Sequence, residues 1–124
     1  MRDALDRLRH DLGKYIAFEQ RFSGATGGDA LRDALVADLL RTRRDPAGDV
    51  PATALWASLR PELAAHEPDA PELAELDAAM AVVARVAGAL AAGVATDAAL
   101  AEGRDAASAV ADTCRRWWRR HKDD

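Results

Sequence analysis

One cysteine in 124 residues, Cys114, excludes an internal disulfide and suits a reducing cytoplasm. Aromatic residues make up only 5 % of the chain and β-branched residues are sparse, which removes the side chains that strands favour. The most apolar stretch, 78–95, is mostly alanine and valine and is interrupted by Arg85, so it reads as a buried helix and not as a membrane span. Met1-Arg2-Asp3 runs straight into an amphipathic pattern without the basic-then-apolar order of a secretory signal, and a cytoplasmic location is expected. No glycine-rich phosphate loop, serine or cysteine triad, or paired-cysteine zinc pattern occurs, so neither a cofactor nor a metal site is expected. Lysine is also scarce: Lys14 and Lys122 are the only two.

What is present is alanine, the strongest helix former, within a chain that is 49 % hydrophobic and 31 % charged. The length suits one domain, residues 1–124, able to bury a core without staples. The arginine and alanine bias suggests a GC-rich bacterial genome. A net charge of −4 argues against a dedicated nucleic-acid binder. The charge is unevenly spread: 62–105 is acidic, whereas 41–44 and 115–122 are basic.

Hydrophobic spacing predicts an antiparallel all-α bundle of four main helices plus a short one. The first helix runs from about Asp3 to Phe22, with Leu5, Leu8, Leu12, Tyr15 and Phe22 on one stripe. The second begins near an Asp29 cap and continues to about Arg44, with Asp45-Pro46-Ala47-Gly48 as a turn. Pro51 opens a third helix carrying Leu55, Trp56 and Leu59; Pro61 either kinks it or starts a separate turn with Leu63 and His66. The fourth starts at Asp69 or Pro71 and carries a seam from Leu73 through Leu76, Met80, Val83, Ala87 and Leu90 to Val94, with Gly93 near its end. Thr96 caps a fifth, whose seam is Leu100, Gly103, Ala107, Val110, Cys114 and Trp117. Its small residues allow close approach to the fourth helix in a hairpin.

The segment with the most chemical content is His10-Asp11-Leu12-Gly13-Lys14. A helical wheel places His10 opposite the apolar stripe, with Asp6, Arg7, Gly13 and Lys14 as its helical neighbours. An exposed imidazole beside a glycine and the cations Arg7 and Lys14 suits an incoming phosphoryl group, with Asp11 placed to orient the ring.

Leu8-Arg9-His10-Asp11-Leu12 resembles the phospho-accepting helix of histidine-kinase dimerisation domains, and the chain is similar in size and class to histidine phosphotransfer domains. Their usual order, lysine then glycine after the histidine, is reversed here as Gly13 then Lys14. The resemblance implies His10 as phospho-acceptor, Lys14 as phosphate neighbour, Gly13 as the clearance residue, and a receiver domain or kinase as partner. The same five residues are similar to the signature of HD-type metal-dependent phosphohydrolases, which would make His10 and Asp11 metal ligands. That family's upstream histidine has no counterpart in the nine residues before His10. A third alternative is that His10 is a plain surface histidine on an interaction protein.

Two further features bear on function. Glu19 lies in the middle of the first helix's apolar face and needs a partner such as Arg43, Arg44 or Arg60, with Asp38 nearby, or else serves as a ligand or interface contact. Arg115-Arg116-Trp117-Trp118-Arg119-Arg120-His121-Lys122 interleaves cations with tryptophan. Trp117, Trp118, Arg119 and Arg120, with Arg7, form a candidate interaction surface; alternatively Trp117 packs in the core and the arginines complement the helix C-terminus. Cys114 reads as a small core residue. Taken together, a signalling or adaptor module acting through protein contacts is expected, enzyme activity is less so, and a homodimer is left open.

Overall fold

Leu5, Leu8 and Leu12, three and four residues apart, are buried side by side at the start of the chain, as one stripe of a helix requires. The computed structural model describes residues 2–14, 42–45 and 48–122. Residues 15–22 of the expected first helix, nearly all of the expected second helix, and the Glu19 and Asp38 candidates lie outside the described residues.

Helix α1 spans Arg2–Arg7 and passes into a π-helical stretch, Leu8–Lys14, wound with i→i+5 bonds. Strands β1 (Thr42–Asp45) and β2 (Gly48–Val50) follow as an antiparallel pair, with Thr42 opposite Val50 and Asp45 opposite Gly48. The register is irregular between Arg43 and Asp45. This corrects the expected helix to about Arg44. Pro46 disfavours helical dihedrals in the residue before it, so Asp45 is extended, and Thr42–Arg44, expected at the end of a helix, form a strand instead.

Helix α2 (Ala52–His66) contains Pro61 in its interior, so the chain continues through the proline and no separate turn forms. Helix α3 (Pro71–Ala91) has its proline at the first position, where the missing N–H costs nothing. It ends in a Schellman motif: Gly93 N donates to Leu90 O, and Val94 N donates to Ala89 O. Gly93 takes φ = 73°, the left-handed value that glycine adopts without strain. Val94, expected on the α3 seam, therefore lies beyond the helix end and is 68 % exposed. Helix α4 (Asp97–His121) starts at the expected cap, where the Thr96 hydroxyl accepts from Ala99 N.

The chain is an all-α antiparallel bundle, with four helices and the small hairpin among its described residues. Direction is legible from cross-helix pairs. Glu72 meets Arg120, Glu75 meets Arg116 and Arg85 meets Glu102, so α3 ascends as α4 descends. Asp6 meets Trp118 and Gly13 meets Cys114, which runs the first helix antiparallel to α4 as well. Leu55, Leu59, Leu63, Leu76, Val83, Val110 and Trp117 close the core among them. Gly103 and Ala107 are buried on α4, where their size allows close packing.

Among the described residues no helix is long and apolar enough to cross a membrane.

Candidate functional site: a cationic corner between the first and last helices

Residues four apart share a helix face, so the Arg-Arg-Trp-Trp-Arg-Arg run of α4 divides into two flanks. Arg116 and Arg120 face α3, whereas Arg115 and Arg119 turn toward α1. Trp117 between them is fully buried, and Trp118 is half-buried at the edge.

The α3 flank is saturated with partners. Arg120 forms a fork on Glu72, with Nη2 donating to Oε2 at 2.7 Å and to Oε1 at 2.9 Å, and also pairs with Glu67. Glu72 is only 2 % exposed, so this is a buried charge that Arg120 must match. Glu67 additionally accepts from Trp117 Nε1 at 2.8 Å and lies 3.1 Å from His121 Nε2. Hydrogen bonding from Arg120, chiefly, holds the Glu67 carboxyl down at about 2, against burial, which pushes the other way; Trp117 and His121 add to the lowering. Arg120 is correspondingly raised. A second knot joins α2 to α3: the Arg60 guanidinium grips both Asp77 oxygens, and Trp56 Nε1 donates to Asp77 Oδ1 at 2.9 Å. The Arg60 hydrogen bonds, in the first place, hold the Asp77 carboxyl below its usual range. Arg60, expected as one choice of partner for Glu19, is thus engaged on Asp77.

The α1 flank contains the His10 segment. His10 is exposed, as the wheel predicts. Its Nδ1 lies 3.0 Å from the Asp6 carbonyl oxygen, and its Nε2 lies 3.2 Å from Arg9 Nη2. A guanidinium only donates and a carbonyl only accepts, so both contacts are satisfied together by one form of the ring. That form is the neutral tautomer with the proton on Nδ1 and the lone pair on Nε2. Arg9 also stacks on Trp118, its guanidinium carbon 3.7 Å from the ring centroid, and Trp118 Nε1 donates to Asp6 Oδ1 at 2.6 Å. Asp6 thereby holds His10 through its backbone and Trp118 through its side chain.

Four of the residues expected at a phosphate-binding turn or an interaction surface have other surroundings. Gly13 is buried, and a Cβ built on it would come within 2.8 Å of the Cys114 Cβ. Its missing side chain admits α4 and leaves no clearance over His10. Arg7 pairs with Glu62 of α2, so the cation at the imidazole is Arg9. Trp117 is core and so does not belong to an interaction surface, and the guanidinium of the exposed Arg120 is engaged on carboxylates. Lys14 is exposed and Asp11 half-buried on the same stretch. Cys114 is fully buried, as expected of a core residue, and burial pushes its thiol up.

Arg9, Arg115, Trp118 and Arg119 line a recess of about 230 Å³ beside His10. Sequence reasoning missed Arg9 and Arg115; the signal was the i, i+4 spacing of Arg115 and Arg119, which only a neighbouring helix turns into a site. A larger groove of about 640 Å³ runs between α3 and α4 over Ala78, Ala79, Val82 and Ala106. Three of its rim carboxylates, Glu75, Glu102 and Asp112, are ion-paired with arginines. No group of three or more His, Cys, Asp or Glu residues among the described residues is placed to hold a metal ion, so the HD-type alternative gains no ligand set beyond His10 and Asp11.

In comparisons with known proteins, no family model, no curated protein and no solved structure matches the chain.

Proposed function

We propose that the protein is a small cytoplasmic signalling or adaptor module that works through protein contacts and accepts a phosphoryl group on Nε2 of His10. The observation that carries this reading is the state of the imidazole: exposed, with Nδ1–H tied to the Asp6 carbonyl and the nucleophilic lone pair on Nε2. In the transfer, Nε2 forms a bond to phosphorus while the donor's oxygen–phosphorus bond breaks and its carboxylate leaves with the electron pair. Positive charge that develops on the ring is stabilised where Nδ1–H meets the Asp6 carbonyl. Arg9 exchanges Nε2 for the phosphoryl oxygens, which are better partners for a guanidinium than a ring nitrogen. The donor that fits this step is the aspartyl phosphate of a receiver domain; from an autophosphorylated histidine kinase the bond that breaks is nitrogen–phosphorus, and the donor imidazole leaves with the electron pair.

The test is transfer of label from a panel of phosphorylated receiver domains and autophosphorylated histidine kinases to the wild-type chain and to His10→Gln. Acid-labile, alkali-stable label on the wild type and none on the variant is the expected result. Equal labelling of both chains, or none on either across the panel, overturns the reading.

A further inference from the structure

Beyond the His10 chemistry, we infer that the recess formed by Arg9, Arg115, Arg119 and Trp118 is a binding site for a phosphate dianion, as the free ion or as the head of a small phosphomonoester. Three guanidinium groups from two antiparallel helices converge on it, and among the described residues the one acid paired with any of them is Asp112. Arg119 makes no ion pair among the described residues. Among the described residues Arg115 pairs with Asp112 alone, one turn back on its own helix, in a contact open to solvent on both sides. Arg9 has no acidic partner among the described residues; its guanidinium lies on the Trp118 ring and beside His10 Nε2.

The chemistry of the ligand follows from what would satisfy those donors. With Arg115 already beside Asp112, one carboxylate matches one of the two remaining guanidinium forks and leaves the other uncompensated. A phosphate dianion brings twice the charge and at least three acceptor oxygens arranged to meet separate arginines. A recess of about 230 Å³ holds a phosphate with a small substituent. Trp118 supplies the apolar wall, one face being covered by Arg9, and its indole N–H is occupied by Asp6 and unavailable to compete for the anion.

Titration calorimetry with inorganic phosphate, phenyl phosphate and acetate at about 0.15 M salt, where remote surface attraction is screened, tests the site. Saturable one-to-one binding of phosphate is expected, with acetate at least about tenfold weaker. Arg119→Ala should weaken phosphate binding by about tenfold or more, the effect of losing a charge-assisted contact. Arg115→Ala should weaken it as well, with circular dichroism reporting that both variants stay folded. Tighter binding of phenyl phosphate than phosphate identifies an ester as the natural occupant, and equal binding identifies the free ion. His10→Gln keeps phosphate binding within about twofold if the site is as inferred, so failure of the phosphotransfer reading leaves this one standing. No saturation with either phosphate, equal affinity for acetate, or unchanged affinity in Arg119→Ala overturns the inference.

Discussion

Four arginines fall within the last two turns of α4, and the two that face α3 have a different fate from the two that face α1. Arg116 and Arg120 meet Glu75, Glu67 and Glu72, supplied by α3 and by the turn that precedes it. Arg115 and Arg119 meet Arg9 and the edge of Trp118, and among the described residues the one acid they pair with is Asp112 of their own helix. The residue type, the helix and the distance from the helix end are nearly the same in both cases. What differs is the opposing surface: α3 begins in the acidic part of the chain, whereas the first helix presents Arg9 and His10. A charge run therefore acts as structural glue or as a site for an external anion according to the helix packed against it, and each experiment below bears on that division.

Removing Arg120 should have the largest effect. Glu72 is buried, and without its fork it becomes an uncompensated carboxylate in the core. Arg120→Met is expected to cost about 3 kcal/mol, near the lower end for breaking a buried pair because the guanidinium end still reaches water. In the double variant Arg120→Met with Glu72→Met, both charges are gone and the methionines can pack, so at least half of the loss should return. Urea unfolding of the two singles and the double gives the coupling directly. A cost for Arg120→Met no greater than for an exposed arginine would erase the contrast between the flanks.

Glu67 provides the same contrast through pH. Its folded value is about 2 against an ordinary 4.5, so between these values the unfolded chain binds the extra proton. The stabilisation is thus complete above about pH 4.5 and is lost as pH falls through about 2. Glu67→Gln should lower stability near neutral pH by about 2 kcal/mol, less than the full linkage because the side chain is partly open to solvent. The gap between wild type and variant should close across that acid window when unfolding is followed by tryptophan fluorescence. A gap that stays constant down to pH 2 would mean that the carboxylate charge has no role in the α3 flank.

The helices were more legible than the site because helices are specified locally. Pro71, the Gly93 turn and the Thr96 cap act through the backbone within a few residues, and each functions where the spacing places it. The burial of Leu5, Leu8 and Leu12 on one side and the exposure of His10 on the other follow from the same periodicity. The hairpin is less legible because Asp45-Pro46-Ala47-Gly48 reads equally as a turn after a helix, while Pro46 also constrains Asp45 to extended backbone. Site assignments fared differently since they depend on which helices meet. Nothing near Gly13 in sequence announces that Cys114 will lie against it, and nothing near Arg120 announces Glu72. Arg7 looked like the cation for His10 until α2 supplied Glu62. The His10 segment and the C-terminal Arg/Trp segment were each conspicuous alone, but their meeting through Arg9, Asp6 and Trp118 is a tertiary event.

The smallest expected effect is also the sharpest discriminator, because its sign differs between the flanks. Arg116→Ala removes a solvent-exposed ion pair with Glu75 and should destabilise by less than about 1 kcal/mol. Arg119→Ala removes no ion pair among the described residues and relieves crowding with Arg9 and Arg115. Its effect should lie within about 0.5 kcal/mol of zero, on the stabilising side, in phosphate-free buffer. Raising salt from about 0.02 M to 0.5 M should shrink both changes, since screening weakens an attraction and a repulsion alike. Added phosphate should do something salt cannot: stabilise the wild type and not Arg119→Ala, because a ligand that binds only the folded state shifts the unfolding midpoint by mass action. If Arg119→Ala instead destabilises as Arg116→Ala does, and phosphate moves both chains equally, then the α1 flank is as internally matched as the α3 flank.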